Sequence, residues 1–182
     1  MTANEQNRFR ELIDRISRIN AADDWSGEIN PSQWTALSYL ARANRFSRTP
    51  SQVADYMAAT RGTVSQTLKA LARKNLVRET RSDRDKRSIS YTVTDSGAAL
   101  VDEIETASRL TLKDTDTTTL LAGLEDLVRT SLKQRGMRPF GICRTCRHHR
   151  KTGSGGYCTL LQETLTQPET GQICHEHALA ES

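Results

Sequence analysis

The sequence predicts a mainly α fold arranged round one β-hairpin, with a small Cys/His-rich C-terminal extension. Three observations carry this. Apolar residues recur at three- and four-residue spacing through most of residues 5–135. Aromatic residues make up only 5% of the chain, and a large β-sandwich or barrel is disfavoured by that composition. All four Cys and all four His lie between Cys143 and His177.

At 182 residues the chain has room for one ordinary domain and a small appendage. Hydrophobic residues are 36% and charged residues 26%. No apolar run approaches the roughly 18–20 residues of a membrane helix. The opening MTANEQNRFRELIDRI has no apolar stretch of the signal-peptide kind. The expectation is a cytoplasmic protein with no membrane partner.

Each element has its own signal. Phe9, Leu12, Ile13, Ile16 and Ile19 form one stripe, which predicts a helix over 5–20. A polar loop ends in Asn30-Pro31, and Pro31 fits the first turn of a second helix running to about Ala43. Phe46 sits in a basic turn, Arg45 to Arg48. Thr49 then caps a third helix with Pro50 in its first turn. Thr60 caps a fourth, about 61–75, in which Val64, Leu68 and Leu71 share a face. Residues 76–81 and 88–93 read as paired strands joined by a charged turn. Thr94-Asp95 starts a long helix lined by Leu100, Val101, Ile104, Ala107 and Leu112. A last helix spans about 116–135, and Gly136, Pro139 and Gly141 read as a hinge.

Charge is unevenly placed. Residues 42–87 hold twelve Lys/Arg against four Asp/Glu, a net of +8, between acidic flanks. Such a block is the footprint of a polyanion site, although a basic stretch without a motif is more often just a solvated face. The polar face of the fourth helix narrows the choice. It carries Gly62, Ser65, Gln66, Lys69 and Arg73 and no acidic residue, whereas a solvated face usually mixes Glu with Lys.

The order of helices and hairpin is that of a winged helix-turn-helix with helical flanks. A helix of that width fits the major groove of double-stranded DNA. Arg61, Thr63, Ser65, Gln66, Lys69 and Arg73 are the candidate contacts on the helix. Ser65 and Gln66 suit base edges, Thr63 suits a phosphate, and Lys69 and Arg73 suit the backbone. Arg81, Arg84, Lys86 and Arg87 are the candidates on the wing, whose tip can reach an adjacent minor groove. Asp85 is expected to pair with Arg87. The competing reading of that face is a helix-turn-helix used for protein contacts; a second alternative makes the C-terminal tail a protein-interaction module, with DNA binding only localising the complex.

Residues 34–97 resemble the DNA-binding core of the MarR (multiple antibiotic resistance regulator) family. The segment TRGTVSQTLKALARKNLVRETRSDRDKRSISYTVTDSG, residues 60–97, carries the likeness. Leu76-Val77-Arg78 resembles the start of the family's LV-x-R first strand, Asp85-Lys86-Arg87 its Asp-[Lys/Arg]-Arg wing, and Thr94 to Gly97 its T-x-x-G entry to the next helix. The likeness continues over about 5–135. It implies a domain over 1–136, a homodimer joined through helices within 5–20 and 94–135, and a pseudo-palindromic operator. It also implies repression relieved by a small-molecule effector or by cysteine oxidation.

Residues 137–182 form the Cys/His-rich tail. Its spacing is Cys143-x2-Cys146-x11-Cys158-x15-Cys174. Four thiolates suit tetrahedral Zn2+, the first expectation, because so small a segment cannot build a core unaided. The alternative is an iron–sulfur cluster, since the last two Cys do not form a second CxxC. Redox-active thiols come third, including a CxxC thiol–disulfide oxidoreductase, although the CxxC lacks βαβ surroundings. His177 could replace one ligand. His148, His149 and His175 are expected at the surface. Arg144, Arg147, Arg150 and Lys151 are expected to lower the thiol pKa values. No catalytic constellation is legible in the remainder of the chain.

Overall fold

A computed structural model describes residues 2–23, 28–81, 89–107 and 116–179. The elements run α1 (Ala3–Asp23), α2 (Pro31–Arg42), α3 (Pro50–Tyr56), α4 (Arg61–Arg73), β1 (Val77–Arg81), β2 (Ile89–Val93), α5 (Asp95–Ala107) and α6 (Thr117–Gln134). The tail adds β3 (Gly141–Ile142), a 3-10 turn (Cys143–Thr145), β4 (His149–Thr152), β5 (Gly155–Cys158), β6 (Glu163–Leu165), α7 (Gln167–Thr170) and β7 (Ile173–Cys174). Among the described residues no helix is long and apolar enough to cross a membrane.

The helix starts follow from their caps. Asn30 and Thr49 each accept a hydrogen bond from the backbone three residues on, and Gln33 and Gln52 return one, which closes two capping boxes. Thr60 caps α4 through the Thr63 N–H, and Asp116 caps α6 through Thr118 and Thr119. Thr94 Oγ1 accepts from the Gly97 N–H and donates to the Asn75 carbonyl, so one hydroxyl starts α5 and ties it to the end of α4. A Cβ at Gly97 would lie 2.1 Å from the Leu76 carbonyl oxygen, so this turn needs glycine for close approach.

The main core lies where α2, α3 and α4 meet the hairpin and the start of α5. Leu37, Tyr39, Leu40, Val53, Val64, Leu68 and Leu71 are fully buried there. β1 and β2 pair antiparallel, Val77 opposite Val93 and Arg81 opposite Ile89. The hairpin does lean on the helices: Tyr91 is buried, its N–H bonds the Arg48 carbonyl, and its hydroxyl bonds Glu79 at 2.9 Å. Burial, with Glu79 adding to it, pushes the Tyr91 pKa up to about 12. The wing tip, with Arg84, Asp85, Lys86 and Arg87, lies outside the described residues, as does Leu112.

The tail departs from a hinged appendage. It folds into short antiparallel ladders, β3 with β7 and β4-β5-β6, and packs on the helical unit. The Asn44 N–H bonds the Ile173 carbonyl at 2.9 Å, and Phe140 packs edge-on to Tyr39 and Tyr56. Gly141 serves packing: a Cβ there would lie 2.5 Å from the His177 ring. Gly136, with φ of 65°, does adopt the left-handed turn just after α6.

Candidate nucleic-acid interface and the cysteine lobe

On α4 the apolar stripe of Val64, Leu68 and Leu71 is buried, and this fixes which face points outward. Arg61, Gly62, Thr63, Gln66, Lys69 and Arg73 are exposed along it. Ser65 is only half-exposed, because its place in the helix turns it toward the buried stripe. Thr63 shares its hydroxyl with Thr60 at 2.8 Å, so a phosphate there would meet a pair of hydroxyls at the helix start. Arg81 is exposed on β1, with Glu79 at 3.6 Å. The outward face of α4 thus offers amide, hydroxyl and cationic groups with no carboxylate of its own.

The basic block is not wholly available to a polyanion. Arg45 pairs with Glu169 and, at 3.4 Å, with Glu163. Arg48 is half-buried and donates twice to the Ala43 carbonyl, at 3.0 and 2.7 Å. Lys74 donates to the Glu28 carbonyl and to Gln33. These cations hold the fold; the exposed ones on α4 and β1 remain for a ligand.

The four cysteines are all buried, and none is in a disulfide. Backbone pairing gathers them. The Cys146 N–H closes on the Cys143 carbonyl, Cys143 N–H bonds Gln172, and Cys174 lies opposite Gly141. Cys158 stands opposite His149, and Cys143 and Cys158 share an apolar cluster with Leu165, Leu161 and Phe46. Among the described residues, no group of three or more His, Cys, Asp or Glu forms a set that could hold a metal ion.

The arginines do not lower the thiols of Cys143 and Cys174. Burial, followed by the neighbouring thiols of Cys174, Cys158 and Cys146, pushes Cys143 up to about 12. Cys174 is raised as well, by burial, against hydrogen bonds from Asn44, the Glu176 backbone and Ser47. Arg144, Arg147, Arg150 and Lys151 are exposed, where solvent screens them. A raised, buried thiol on a short 3-10 turn is poorly suited to nucleophilic disulfide exchange.

The histidines also differ from expectation. His177 is buried, with Nε2 at 2.9 Å from Thr145 Oγ1, and burial lowers its pKa. His175 lies 3.1 Å from Asp55 with little of its side chain exposed. His148 and His149 are half-exposed, and the buried His149 Nε2 has no hydrogen-bond partner among the described residues. Asn44 and Ser47 stood out in no way in the sequence, yet Asn44 Oδ1 accepts from the Phe46 N–H and Ser47 Oγ accepts from the His175 N–H of the tail. Both are fully buried polar groups in the α2–α3 turn, and nothing in their spacing points toward Cys174.

Residues 28–88 match the model of the MarR family. No curated protein matches the chain. Among solved structures, the *Staphylococcus aureus* MepR–DNA complex is similar at 24% identity and a TM-score of 0.54, over 67% of this chain and 97% of that one. A MarR transcriptional regulator from *Methanosarcina mazei* Go1 reaches 0.60 at 18% identity, over 72% and 99%. The transcriptional regulator BldR from *Sulfolobus solfataricus* reaches 0.58 at 20% identity, over 71% and 99%. The last two are named as transcriptional regulators, and the first is a complex with DNA. The helical unit of this chain shares the winged helix-turn-helix fold of these structures, and its residues 28–88 are similar to the MarR family.

Proposed function

We propose that the chain is a sequence-specific DNA-binding transcriptional regulator, a dimeric repressor, working in the cytoplasm. The observation that carries this is the exposed, carboxylate-free face of α4 beside the hairpin. Gln66 reads base edges. Arg61, Lys69, Arg73 and Arg81, with Arg84, Lys86 and Arg87 at the wing tip, neutralise phosphates. Thr63 and Ser65 add hydroxyl contacts near the helix start. A partner subunit accounts for a second observation. Phe9, Leu12, Ile13, Ile16 and Ile19 on α1 are 40–54% exposed, and Leu121, Leu124 and Val128 on α6 are exposed too. Two helices with bare apolar stripes suit burial against a second copy.

The *Bordetella bronchiseptica* regulator BpsR is described as controlled by 6-hydroxynicotinic acid, and it shares this fold at 20% identity and a TM-score of 0.52. A comparable effector has a fitting place here. An apolar cavity of about 430 Å³ lies between α3, α6 and β3, lined by Tyr56, Val128, Leu132, Phe140, Ile142 and Ile173. The tail adds a four-thiol metal module of Cys143, Cys146, Cys158 and Cys174, holding zinc or an iron–sulfur cluster. His177 stays in support through Thr145.

Duplex selection from a random pool, followed by gel shift against competitor DNA, tests the reading. Enrichment of an inverted repeat bound by dimers is expected. Equal binding of selected and random duplexes would remove the regulator assignment.

A further inference from the structure

Helix α3 has seven residues, too few to hold a helix by local hydrogen bonds alone. Its place is therefore set by what grips it. Val53 and Ala54 are buried in the same core as Val64, Leu68 and Leu71 of α4. At about 100° per residue, Asp55 and Tyr56 fall on roughly the opposite face. There the cysteine lobe takes hold. His175 Nε2 stands 3.1 Å from Asp55 Oδ2, and the Tyr56 ring meets Phe140 edge-on at 5.2 Å. Phe140 in turn meets the His175 ring at 5.3 Å.

The same lobe holds the turn that leads into α3. The His175 N–H donates to Ser47 Oγ at 2.9 Å. The Asn44 N–H donates to the Ile173 carbonyl, within a parallel bridge between Ala43 and Ile173. Arg45 reaches Glu169, Glu163 and, at 3.0 Å, the Thr164 carbonyl. Phe46 packs against the lobe's own cluster, beside Leu165.

Three separate parts of the lobe thus converge on residues 43–56: Phe140, the stretch from Glu163 to Glu169, and the stretch from Ile173 to His175. Hydrogen bonds are directional, so this grip sets a position as well as adding stability. His175 touches both the turn and α3, the first through its backbone and the second through its ring.

We propose that the cysteine lobe braces the helix-turn-helix, with His175 as the positioning residue that holds α3, and through it α4, in the setting that fits duplex DNA. This rests on the DNA-binding reading above and extends it to a part of the chain that need not touch DNA. Three carboxylates take part, and they give the test its sign. Removing Asp55, Glu163 and Glu169 takes negative charge from a protein that binds a polyanion, so electrostatics alone predict tighter binding. A brace predicts the reverse.

The test uses the full-length protein and a duplex enriched from a random pool, titrated by anisotropy at several salt concentrations. A variant carrying Asp55→Ala, Glu163→Gln and Glu169→Gln should bind about fivefold or more weakly than wild type. Its slope of log K against log salt should match wild type, since no phosphate contact is removed. Alanine is a good helix former, and glutamine at position 169 keeps the capping box with Thr166, so the helices concerned are spared. His175→Ala should also weaken binding, and adding Asp55→Ala to it should cost less than Asp55→Ala alone, because the pair is already broken. Amide exchange at residues 43–56 should quicken in His175→Ala. Should that variant fail to fold, Asp55→Ala, at an exposed position, decides instead. Equal or tighter binding by the three-carboxylate variant would overturn the brace. Strictly additive losses from His175→Ala and Asp55→Ala would overturn the part given to His175. A wild-type protein with no preference for any duplex would overturn the DNA-binding reading instead. Amide exchange then decides the brace, and unchanged exchange at 43–56 would overturn it.

Discussion

The helix-turn-helix unit and the cysteine lobe are stabilised by different means, though they share one chain. In the first, aliphatic residues from α2, α3 and α4 interlock, and the caps are supplied by local hydroxyl and amide groups. In the second, short polar strands are held by hydrogen bonds, four buried thiols and ion pairs to the first. The lesson is that the helical unit has an aliphatic core of its own, whereas the lobe leans on buried thiols and on the surface beneath it.

The sharpest way to break this comparison is to treat the protein anaerobically with a chelator, which removes the metal of the proposed four-thiol module. Amide exchange across residues 141–178 should accelerate far more than tenfold, which is about 1.4 kcal/mol, while α2 and α4 keep their protection. Equal loosening of both regions would show that they form one cooperative unit. Next in size is Leu68→Ala, which opens a cavity in the helical core and should cost about 2–5 kcal/mol in denaturant unfolding. A smaller effect is expected for Thr60→Ala. Losing the α4 cap should cost about 1 kcal/mol and lower DNA affinity with it.

Smallest is the ion pair that fastens the lobe to the turn. Arg45→Ala should cost less than about 1 kcal/mol at neutral pH, because Arg45 is substantially exposed. Its pH signature is more telling. Burial pushes the Glu169 carboxyl up, but hydrogen bonds from the Thr166 backbone and hydroxyl and from Arg45 together outweigh it and hold it below its ordinary value. Its folded pKa is therefore depressed. The stabilisation is complete near neutral pH and fades as pH falls below about 4.5. Thermal melts of Arg45→Ala should show a shallower loss of stability on that acid side than the parent. Parallel curves would exclude the pair as a fastener.

Much of the helical unit was legible because periodicity and caps speak locally. Asn30-Pro31, Thr49-Pro50, Thr60, Thr94 and Asp116 each mark a helix start, and the structure places one at each. The outward face of α4 was legible for the same reason, since Val64, Leu68 and Leu71 fix its rotation. The lobe was opaque beyond its Cys spacing. Strands such as His149–Thr152 and Glu163–Leu165 carry no clean alternation, and their pairing depends on distant partners. Net charge misled where it met tertiary structure: Arg45, Arg48 and Lys74 counted toward a polyanion site but are engaged inside the fold. The Cys143 and Cys174 thiols went the opposite way from the local sequence because burial raises them while the nearby arginines are exposed.

The central claim, that the outward face of α4 lies against duplex DNA, is tested most directly by salt-dependent anisotropy titrations with a selected duplex. Lys69→Ala and Arg73→Ala should each weaken binding and reduce the slope of log K against log salt by about 0.9 per lost phosphate contact. Gln66→Ala should leave the slope unchanged and relax sequence preference. Unaltered affinity and slope in all three variants would contradict the account.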